Sequence, residues 1–212
     1  MFAGRMTTAT PPRPAAEPTA RRDALLAAAL KAFNERGYGA TSMSDIRRAT
    51  GASTGSLYYH FPSKQHVAAE LFVSGYADYQ RGVRALLDRA RSARAGIRGL
   101  VLFHLQWIDD NPELTRFLHA DQGSDVLEAA RPRLEPMNRE FVADVRDWLH
   151  EHAARGEVRP LPDDLYYAIW SGPAHELARQ WLARRVQTPL PKAAGVLANT
   201  AWEALRGEAG RR

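Results

Sequence analysis

Hydrogen-bonding side chains are concentrated between residues 53 and 61, in the sequence STGSLYYHF. Hydroxyls, two tyrosines and a histidine can contact phosphates and the edges of nucleic-acid bases, and Gly55 allows the backbone to approach closely. Leu57 and Phe61 are four residues apart, so on a helix they would face inward together and hold it on its scaffold. The alternative is that the aromatic residues of this segment belong only to the core. The composition favours a short helix that contacts nucleic acid.

Two predicted helices come before this segment. Apolar residues at helical spacing over residues 25–33 predict the first helix, and Gly37 in the sequence ERGYG fits a C-cap. Ser42 is followed three residues later by Asp45, which has the form of a capping box. This pair predicts a second helix that runs through about Ala49.

A short turn joins the second predicted helix to the third. Gly51 ends the second helix, and the third begins near Ser53. It must end by Phe61, because Pro62 disfavours helix in the residue before it. Three helices in about forty residues, with a glycine between the last two, are typical of a helix-turn-helix unit. In such a unit the third helix enters the major groove of DNA and the second lies across the backbone.

The net charge of the chain is concentrated in its first third. The sequence has 29 Lys and Arg and 24 Asp and Glu, a formal net charge of +5, and residues 1–64 hold nine of the basic and four of the acidic residues. The whole basic excess therefore lies with the three predicted helices. This is the pattern expected of a nucleic-acid-binding unit attached to a neutral domain. Taken alone, the charge also fits a solvated basic face.

Composition excludes several classes of protein. Hydrophobic residues make up 45% and charged residues 25%, as in an ordinary globular protein, and the absence of cysteine excludes disulfides and thiolate chemistry. No apolar stretch is long enough to predict a membrane helix, and the N-terminus lacks the apolar region of a secretory signal. We therefore expect a cytoplasmic protein with no membrane partner. The composition of residues 1–20 predicts a disordered extension, and either Met1 or Met6 is the first residue of the protein.

Helical periodicity continues through the rest of the chain, and no segment alternates with period two. A fourth helix begins at Ser63 and runs to about Ala93, with candidate breaks at Gly75 and Gly82. Further helices are predicted at about 96–110, 112–120, 124–155 (interrupted near Pro132 and Pro136), 162–184 (kinked at Gly172-Pro173) and 191–206. The sequence therefore predicts an all-α protein in which three short helices precede a larger bundle of long ones.

The run from Arg21 to Phe72 resembles the DNA-binding domain of the tetracycline-repressor (TetR) family of bacterial regulators. The matching sequence is LLAAALKAFNERGYGATSMSDIRRATGASTGSLYYHFPSKQHVAAELF, in which LYYHFPSK at 57–64 follows an F-x-x-x-G-Y-x-x-T-S segment. The resemblance implies a helix-turn-helix DNA-binding domain at 21–68 and a larger helical effector-binding and dimerisation domain at 69–212. It implies no cofactor, and double-stranded operator DNA as a partner.

The resemblance also assigns roles within the DNA-binding segment. Residues 53–56 would meet the bases, whereas Tyr58, His60 and Lys64 would hold the phosphate backbone. Thr41 and Ser42 would touch phosphate at the start of the second helix, and Tyr59 would contact DNA or the core. Arg47 and Arg48 are candidates to add charge, although exposed arginines on a helix are ordinary. The predicted DNA-binding residues are Thr41, Ser42, Ser53, Thr54, Gly55, Ser56, Tyr58, Tyr59, His60 and Lys64.

In the family, a small molecule usually binds the helical body. Through the fourth helix it changes the separation of the two helix-turn-helix units of the dimer. Aromatic and histidine residues of the middle helices are the candidates to contact it, and a weakly polar aromatic pocket would favour an apolar or aromatic effector. An aromatic residue at helical spacing is equally an ordinary core residue. The candidates are Phe103, His104, Trp107, Phe117, His119, Phe141, Trp148, Trp170 and His175.

A four-helix homodimer interface is also implied by the family, and the last two predicted helices carry apolar stripes that suit it. The alternative is that these stripes belong to the core of a single chain. The predicted interface residues are Tyr166, Trp170, Leu177, Trp181, Ala194, Leu197, Ala198, Ala201, Trp202 and Leu205.

Catalysis and metal binding find no support in the sequence. His150 and His152 are two residues apart, so on a helix they point in different directions and are poorly placed to bind one metal ion. Together with Glu151 they indicate the solvent-exposed end of a helix. No recognised motif pairs a nucleophile with a base. The sequence predicts a dimeric transcriptional regulator, a repressor that a small-molecule effector releases from its operator. The alternative is a regulator without an effector or one controlled by a partner, and the position of the operator decides between repressor and activator.

Overall fold

The computed structural model describes residues 18–120 and 123–209, and ten helices make up most of these two ranges. The pairing of Val158 with Arg206 is an isolated β-bridge, and no strand occurs in the described ranges, so the predicted all-α class is confirmed. Met1, Met6 and most of the predicted extension over residues 1–20 lie outside the described residues. The helices are α1 (Pro18–Arg36), α2 (Met43–Thr50), α3 (Thr54–His60), α4 (Lys64–Arg89), α5 (Ala93–Asp110), α6 (Pro112–His119), α7 (Ser124–Ala154), α8 (Asp163–Trp170), α9 (Gly172–Leu182) and α10 (Leu190–Leu205).

The local signals that predicted α1–α3 match the structure. Gly37 follows the last residue of α1 with φ 84°, and Gly51 ends α2 with φ 66°. Both φ values lie in the left-handed region, which glycine adopts without steric cost. The chain therefore turns sharply after α1 and after α2, and α3 is set at an angle to α2.

The helix α4 continues without a break through Gly75 and Gly82, where candidate breaks were expected. A Cβ atom at Gly82 would lie 2.3 Å from the ring of Phe103 on α5. The glycine therefore permits close packing of two helices, and it does not interrupt the hydrogen bonds of α4.

The interruption expected in α7 is also wrong, because the helix runs from Ser124 to Ala154 with Pro132 and Pro136 inside it. Proline removes a backbone donor and displaces the carbonyl group four residues earlier. Both prolines and Glu128 are exposed, so water can solvate the carbonyl groups that lose their partners. By contrast, the kink expected at Gly172-Pro173 is confirmed, since it separates α8 from α9.

Buried apolar residues form two clusters. The first joins α1–α4 with α6 and the beginning of α7, and it includes Phe33, Phe72 and Phe117. The second joins the C-terminal half of α4 with α5, α8, α9 and α10, and residues of α7 pack against it. The first cluster supports the helix-turn-helix unit and the second forms the helical body. None of the helices in the described ranges has the length and apolar composition that crossing a membrane requires.

Candidate nucleic-acid interface and ligand cavity

The turn between α1 and α2 is fixed by the predicted capping box. The backbone N–H of Ser42 donates to Asp45 Oδ2 over 3.0 Å, and the backbone N–H of Asp45 donates to Ser42 Oγ over 3.2 Å. Ser53 is the N-cap of α3, and its Oγ accepts from the backbone N–H of Ser56 over 3.2 Å. These bonds satisfy donors that the first turn of a helix otherwise leaves without partners.

The helix α3 has an inner and an outer face. Leu57 and Phe61 are 1% and 3% exposed and belong to the first cluster, as predicted. Tyr59 is 82% exposed and Tyr58 is 49% exposed, and burying such rings in a groove of DNA would remove their apolar surface from water. The exposed residues of the outer face and of the caps that lead to it are Ser42, Ser53, Thr54, Gly55, Tyr58 and Tyr59. Ser56 and His60 lie half-buried at the edge of this face.

Thr41 does not belong to the outer surface. Its side chain is buried, and its hydroxyl donates to the carbonyl oxygen of Gly37 over 2.9 Å. Its backbone N–H donates to the carbonyl oxygen of Tyr38 over 3.3 Å. Both groups are therefore occupied within the protein, and the prediction that Thr41 touches phosphate is not met in this conformation. The residue holds the loop between α1 and α2 closed.

Lys64 is half-buried at the start of α4, and its ammonium group contacts the loop after α1. Lys64 Nζ donates to the carbonyl oxygens of Tyr38 and Gly39 over 2.7 and 3.3 Å. The same nitrogen lies 4.3 Å from the centroid of the Tyr38 ring, which is a cation–π contact. A contact between Lys64 and phosphate would have to be added to these bonds or replace them.

The charges around α2 are partly neutralised within the protein. Arg36 and Arg48 each lie 3.3 Å from Asp45. Hydrogen bonds from the hydroxyl and backbone of Ser42, followed by the charges of the two arginines, lower the pKa of Asp45. Arg47 is exposed and has no ion pair among the described residues. Its charge is therefore available to a phosphate without the loss of an ion pair.

Polar contacts between described residues attach the DNA-binding unit to α7. Tyr38 Oη donates to Asp125 Oδ2 over 2.9 Å. Glu70 on α4 pairs with Arg22 on α1 over 2.6 Å and with Arg133 on α7 over 2.5 Å. Movement of the N-terminal part of α7 would therefore displace α1, α4 and the loop before α2.

A cavity of about 260 Å³ lies in the helical body between α4, α5, α7, α8 and α9. Three residues predicted to contact an effector line it, namely Phe141, Trp170 and His175. The sequence prediction missed the other lining residues, because it considered only aromatic and histidine residues and passed over the tyrosines. Four of them lie on one face of α7 at the spacing i, i+3, i+4 and i+7, a signal that the sequence does contain. The missed residues are Tyr79, Leu100, Val142, Val145, Arg146, Leu149, Asp163, Tyr166, Tyr167 and Ser171.

Three further predicted residues surround Tyr79, which lines the cavity from α4. The rings of Phe103 and Trp107 lie 5.6 and 5.3 Å from the Tyr79 ring, measured between centroids. His104 Nδ1 lies 3.0 Å from Tyr79 Oη, within hydrogen-bonding distance. These three residues therefore form a second layer behind the cavity wall.

The remaining three predicted effector residues lie elsewhere. Phe117 is fully buried in the first cluster, where its ring stacks on Phe33 with 5.6 Å between centroids. Trp148 does not line the cavity, because its ring packs behind Trp170 at 5.8 Å. His119 lies at the exposed end of α6, outside the cavity lining but near His104 and His175, whose pKa values its charge lowers. The predicted contact with an effector is wrong for Phe117, since the phenyl ring fills the core beneath the helix-turn-helix unit.

Most of the residues predicted to form the dimer interface are buried within the single chain. The apolar stripe of α10 packs against α5, and Trp170 Nε1 donates to the carbonyl oxygen of Ile97 over 2.8 Å. The prediction therefore named the inner side of these helices. The buried residues are Tyr166, Trp170, Ala194, Ala198, Ala201, Trp202 and Leu205, whereas Leu177, Trp181 and Leu197 are half-buried.

The two histidines near the end of α7 pair with separate acids. His150 Nε2 lies 2.8 Å from Asp163 Oδ1, and His152 Nδ1 lies 3.0 Å from Glu157 Oε2. In the part of the chain that the structure describes, no three histidine or acidic side chains are grouped so that they could hold a metal ion.

Comparisons with known proteins agree with this architecture. Residues 25–71 match the family described as bacterial regulatory proteins, tetR family. The HTH-type transcriptional repressor KstR2 of Mycolicibacterium smegmatis is 31% identical over 154 residues, which cover 71% of this chain and 74% of that protein.

Two solved structures share the fold. A TetR family transcription regulator from Marinobacter aquaeolei VT8 superposes with a TM-score of 0.71 at 20% identity, over 90% of this chain and 97% of that chain. The transcriptional regulator FadR from Bacillus subtilis, in complex with stearoyl-CoA, superposes with a TM-score of 0.71 at 16% identity, over 84% of this chain and 96% of that chain. The fold and the outer face of α3 define a helix-turn-helix transcriptional regulator. The chain belongs to the TetR family.

Proposed function

We propose that this regulator binds its operator as a homodimer and is a repressor that an apolar small molecule releases from DNA. It would act in the cytoplasm, where bacterial DNA lies. The observation that carries the proposal is the position of α7, which lines the cavity with one part and is bonded to the DNA-binding unit with another. A ligand in the cavity can therefore bias the orientation of that unit.

The proposed DNA-binding domain spans residues 21–68, and the effector-binding and dimerisation domain spans residues 69–212. Residues 53–56 would read bases from the N-terminal end of α3, and Ser42, Tyr58, Tyr59 and His60 would contact the backbone or the groove edge. Lys64 would add to phosphate binding in the DNA complex. The exposure of the outer face of α3 supports this assignment.

The proposed effector is apolar because aromatic and aliphatic side chains dominate the lining of the cavity. The FadR structure with stearoyl-CoA supports the choice of acyl compounds among the first to be tested. A ligand can act only through different affinities for the DNA-binding and released arrangements. Tyr79 on α4 and Val142 on α7 both line the cavity, so a ligand that separates the two helices would move both attachments of the DNA-binding unit.

The proposed dimer surface is the outer side of α8–α10. Val196 on α10 is 67% exposed, and Ile169 and Leu197 are half-buried in the single chain. The groove beside them is lined by small and apolar residues that include Ala168, Pro173 and Ala204. A two-fold axis through this patch would pair it with the same patch of a second copy and cover its apolar residues.

The test of DNA binding is selection of bound duplexes from a random pool. We expect a palindrome whose half-sites are about 34–36 Å apart, or a multiple of that distance. DNase protection then measures release of the selected duplex on addition of stearoyl-CoA, free fatty acids and aromatic compounds. A selected sequence without two-fold symmetry contradicts the dimer. A selected palindrome that no compound releases contradicts the effector and leaves an effector-independent regulator.

The test of the dimer surface is the variant Leu197→Arg, with Leu127→Arg as a matched control. Leu127 is an exposed leucine on α7, outside the proposed patch. We expect sedimentation velocity at micromolar concentration to give a dimer for the wild type and the control, and a monomer for Leu197→Arg. A monomeric wild type contradicts the proposal.

A further inference from the structure

A chain of three polar side chains runs through the wall of the cavity. Tyr79 and His175 line the cavity, and His104 lies behind them, only 3% exposed. Tyr79 Oη lies 3.0 Å from His104 Nδ1, and the rings of His104 and His175 lie 4.0 Å apart, centroid to centroid. The buried histidine is therefore in contact with two residues of the cavity surface, in a wall that is otherwise mostly apolar.

His104 has one buried nitrogen without a hydrogen-bond partner among the described residues, namely Nε2. Burial, followed by the neighbouring His175 and His119, lowers the pKa of His104 to about 3, so the imidazole is neutral at pH 7. A neutral imidazole has one donor and one acceptor nitrogen. A buried polar group without a partner is costly, and a native structure that contains one calls for an explanation.

Both tautomers of His104 leave one donor of the pair unused. If Tyr79 donates its hydroxyl proton to Nδ1, then Nε2 carries the imidazole proton and has no acceptor. If Nδ1 carries the proton and donates to Tyr79 Oη, then the hydroxyl proton of Tyr79 has no acceptor. In the first tautomer the missing group is an acceptor for Nε2–H. In the second tautomer the hydroxyl of Tyr79 lacks an acceptor and Nε2 lacks a donor. An accepting oxygen is therefore missing in both tautomers, and a hydroxyl oxygen can also donate to Nε2 in the second.

We infer that the effector carries a carbonyl or hydroxyl oxygen on an uncharged apolar body, and that this oxygen accepts a hydrogen bond from the Tyr79–His104 pair. This inference rests on the proposed function, since it specifies the ligand of the same cavity. Tyr79 and His104 are then the residues that distinguish an oxygenated ligand from a hydrocarbon. His175 is the cavity-lining neighbour of His104, and its imidazole forms no hydrogen bond with another described residue, so the ring can turn as the ligand enters.

The size of the cavity limits the apolar body. An engineered protein cavity of about 150 Å³ holds benzene, and this cavity has about 260 Å³. The space therefore suits a body of about two fused rings. The charged side chains that line the cavity are Arg146 and Asp163, and both are exposed, so the buried part of the lining offers no counter-ion to a charged ligand group.

The experiment uses 1-tetralone and tetralin, two fused-ring compounds of similar size that differ in one carbonyl oxygen. Isothermal titration calorimetry on the full chain gives the Kd of each for the wild type and for Tyr79→Phe. The matched control is Tyr76→Phe, because Tyr76 lies on the same helix but packs against the first cluster and does not line the cavity. We expect the preference for tetralone, the ratio of the two Kd values, to fall by about tenfold in Tyr79→Phe, as for the loss of one buried hydrogen bond. It should be unchanged in Tyr76→Phe.

A second readout does not require a variant. The ¹⁵N signals of the His104 imidazole should shift when tetralone is added to the wild type, and should shift less with tetralin. An unchanged ratio in Tyr79→Phe, or equal shifts with both compounds, overturns the inference while the cavity remains a ligand site. If neither compound binds the wild type, both the inference and the proposed effector site are overturned. Operator binding, measured separately, would survive that result.

Discussion

Lys64 Nζ donates to the backbone carbonyl oxygen of Tyr38 over 2.7 Å and lies 4.3 Å from the centroid of its ring. The hydroxyl of the same tyrosine donates to Asp125 on α7 over 2.9 Å. Burial, together with this carboxylate, raises the pKa of Tyr38 well above its usual range, so the hydroxyl stays protonated and remains a donor. Tyr38 therefore joins the start of α4, the loop before α2 and the start of α7.

The variant Lys64→Ala should lower the stability of the protein as well as its affinity for DNA. It removes two hydrogen bonds from a charged donor and a cation–π contact, and we expect a loss of about 1–2 kcal/mol in the free energy of unfolding. Urea denaturation followed by circular dichroism measures this loss. The control is Lys31→Ala, because the Lys31 side chain is 71% exposed and lies 3.9 Å from Glu35. Such a surface pair contributes less than about 1 kcal/mol, and equal losses in the two variants would contradict the structural role of Lys64.

The variant Gly55→Ala should weaken DNA binding without lowering the stability of the protein. A Cβ atom at Gly55 would have no other atom within 4 Å in the protein, and alanine favours helix over glycine by about 0.5–1 kcal/mol. We therefore expect stability to be unchanged or slightly raised. The proposed close approach of this backbone to DNA would be blocked, and affinity for the selected duplex should fall at least tenfold. Fluorescence anisotropy with labelled duplex measures the affinity, and retained affinity would show that the backbone at Gly55 stays away from DNA.

Sequence patterns predicted the features of this protein that depend on neighbouring residues. The Ser42–Asp45 capping box and the glycine after α2 are fixed by bonds within a few residues, and the spacing of Leu57 and Phe61 identified the inner face of α3. These signals are readable because the interacting groups are close in the chain. The resemblance of residues 21–72 to the TetR family then assigned DNA binding to the exposed face of α3. The apolar pattern alone did not determine the function of that face.

Contacts between distant segments were not predictable in the same way. Apolar spacing identified a stripe on α10 around Trp202, but it could not tell whether the stripe would pack on α5 or on a second chain. The same limit applies to Phe117, which was expected to contact an effector and fills the core below α1. Periodicity shows that a residue faces something apolar, and the partner is decided by the packing of the whole chain.

The variant Glu70→Gln should destabilise the protein in a pH-dependent way. Partial burial favours the protonated carboxyl group, but hydrogen bonds and charges from Arg133 and Arg22 outweigh it and lower the pKa of Glu70. A lowered pKa in the folded state gives stability that is present above the ordinary carboxyl pKa, about 4.3, and is lost as the pH falls through the folded value. We expect the variant to lose about 1–2 kcal/mol at pH 7, since both arginines are partly exposed.

Denaturation at pH 7 and at pH 3 tests this dependence. The difference between wild type and Glu70→Gln should shrink as the pH falls, because the wild-type carboxyl group takes up a proton as the pH falls through its lowered pKa. Glu35→Gln serves as the control, since its side chain is 56% exposed and pairs with Lys31 over 3.9 Å. A difference for Glu70→Gln that is equal at both pH values would mean that the ion pairs contribute nothing to stability.

The variant Gly96→Ala should disturb both the helical body and the cavity. A Cβ atom at this position on α5 would lie 2.3 Å from Cζ2 of Trp148, so the indole ring has to move. Because Trp148 stacks on Trp170 at 5.8 Å and Trp170 lines the cavity, the displacement should reach the ligand site. Overpacking of this kind costs about 1–3 kcal/mol, and we expect this loss in the free energy of unfolding together with weaker binding of 1-tetralone.

Gly195→Ala is the matched control for this variant. Gly195 lies within α10, and a Cβ atom there would have no other atom within 4 Å. The same substitution should therefore raise stability by about 0.5–1 kcal/mol through the helical preference of alanine. Thermal denaturation of both variants at the same protein concentration compares their stabilities. If Gly96→Ala is as stable as Gly195→Ala, then Trp148 has room to move, and the close contact between α5 and α7 does not determine the shape of the cavity.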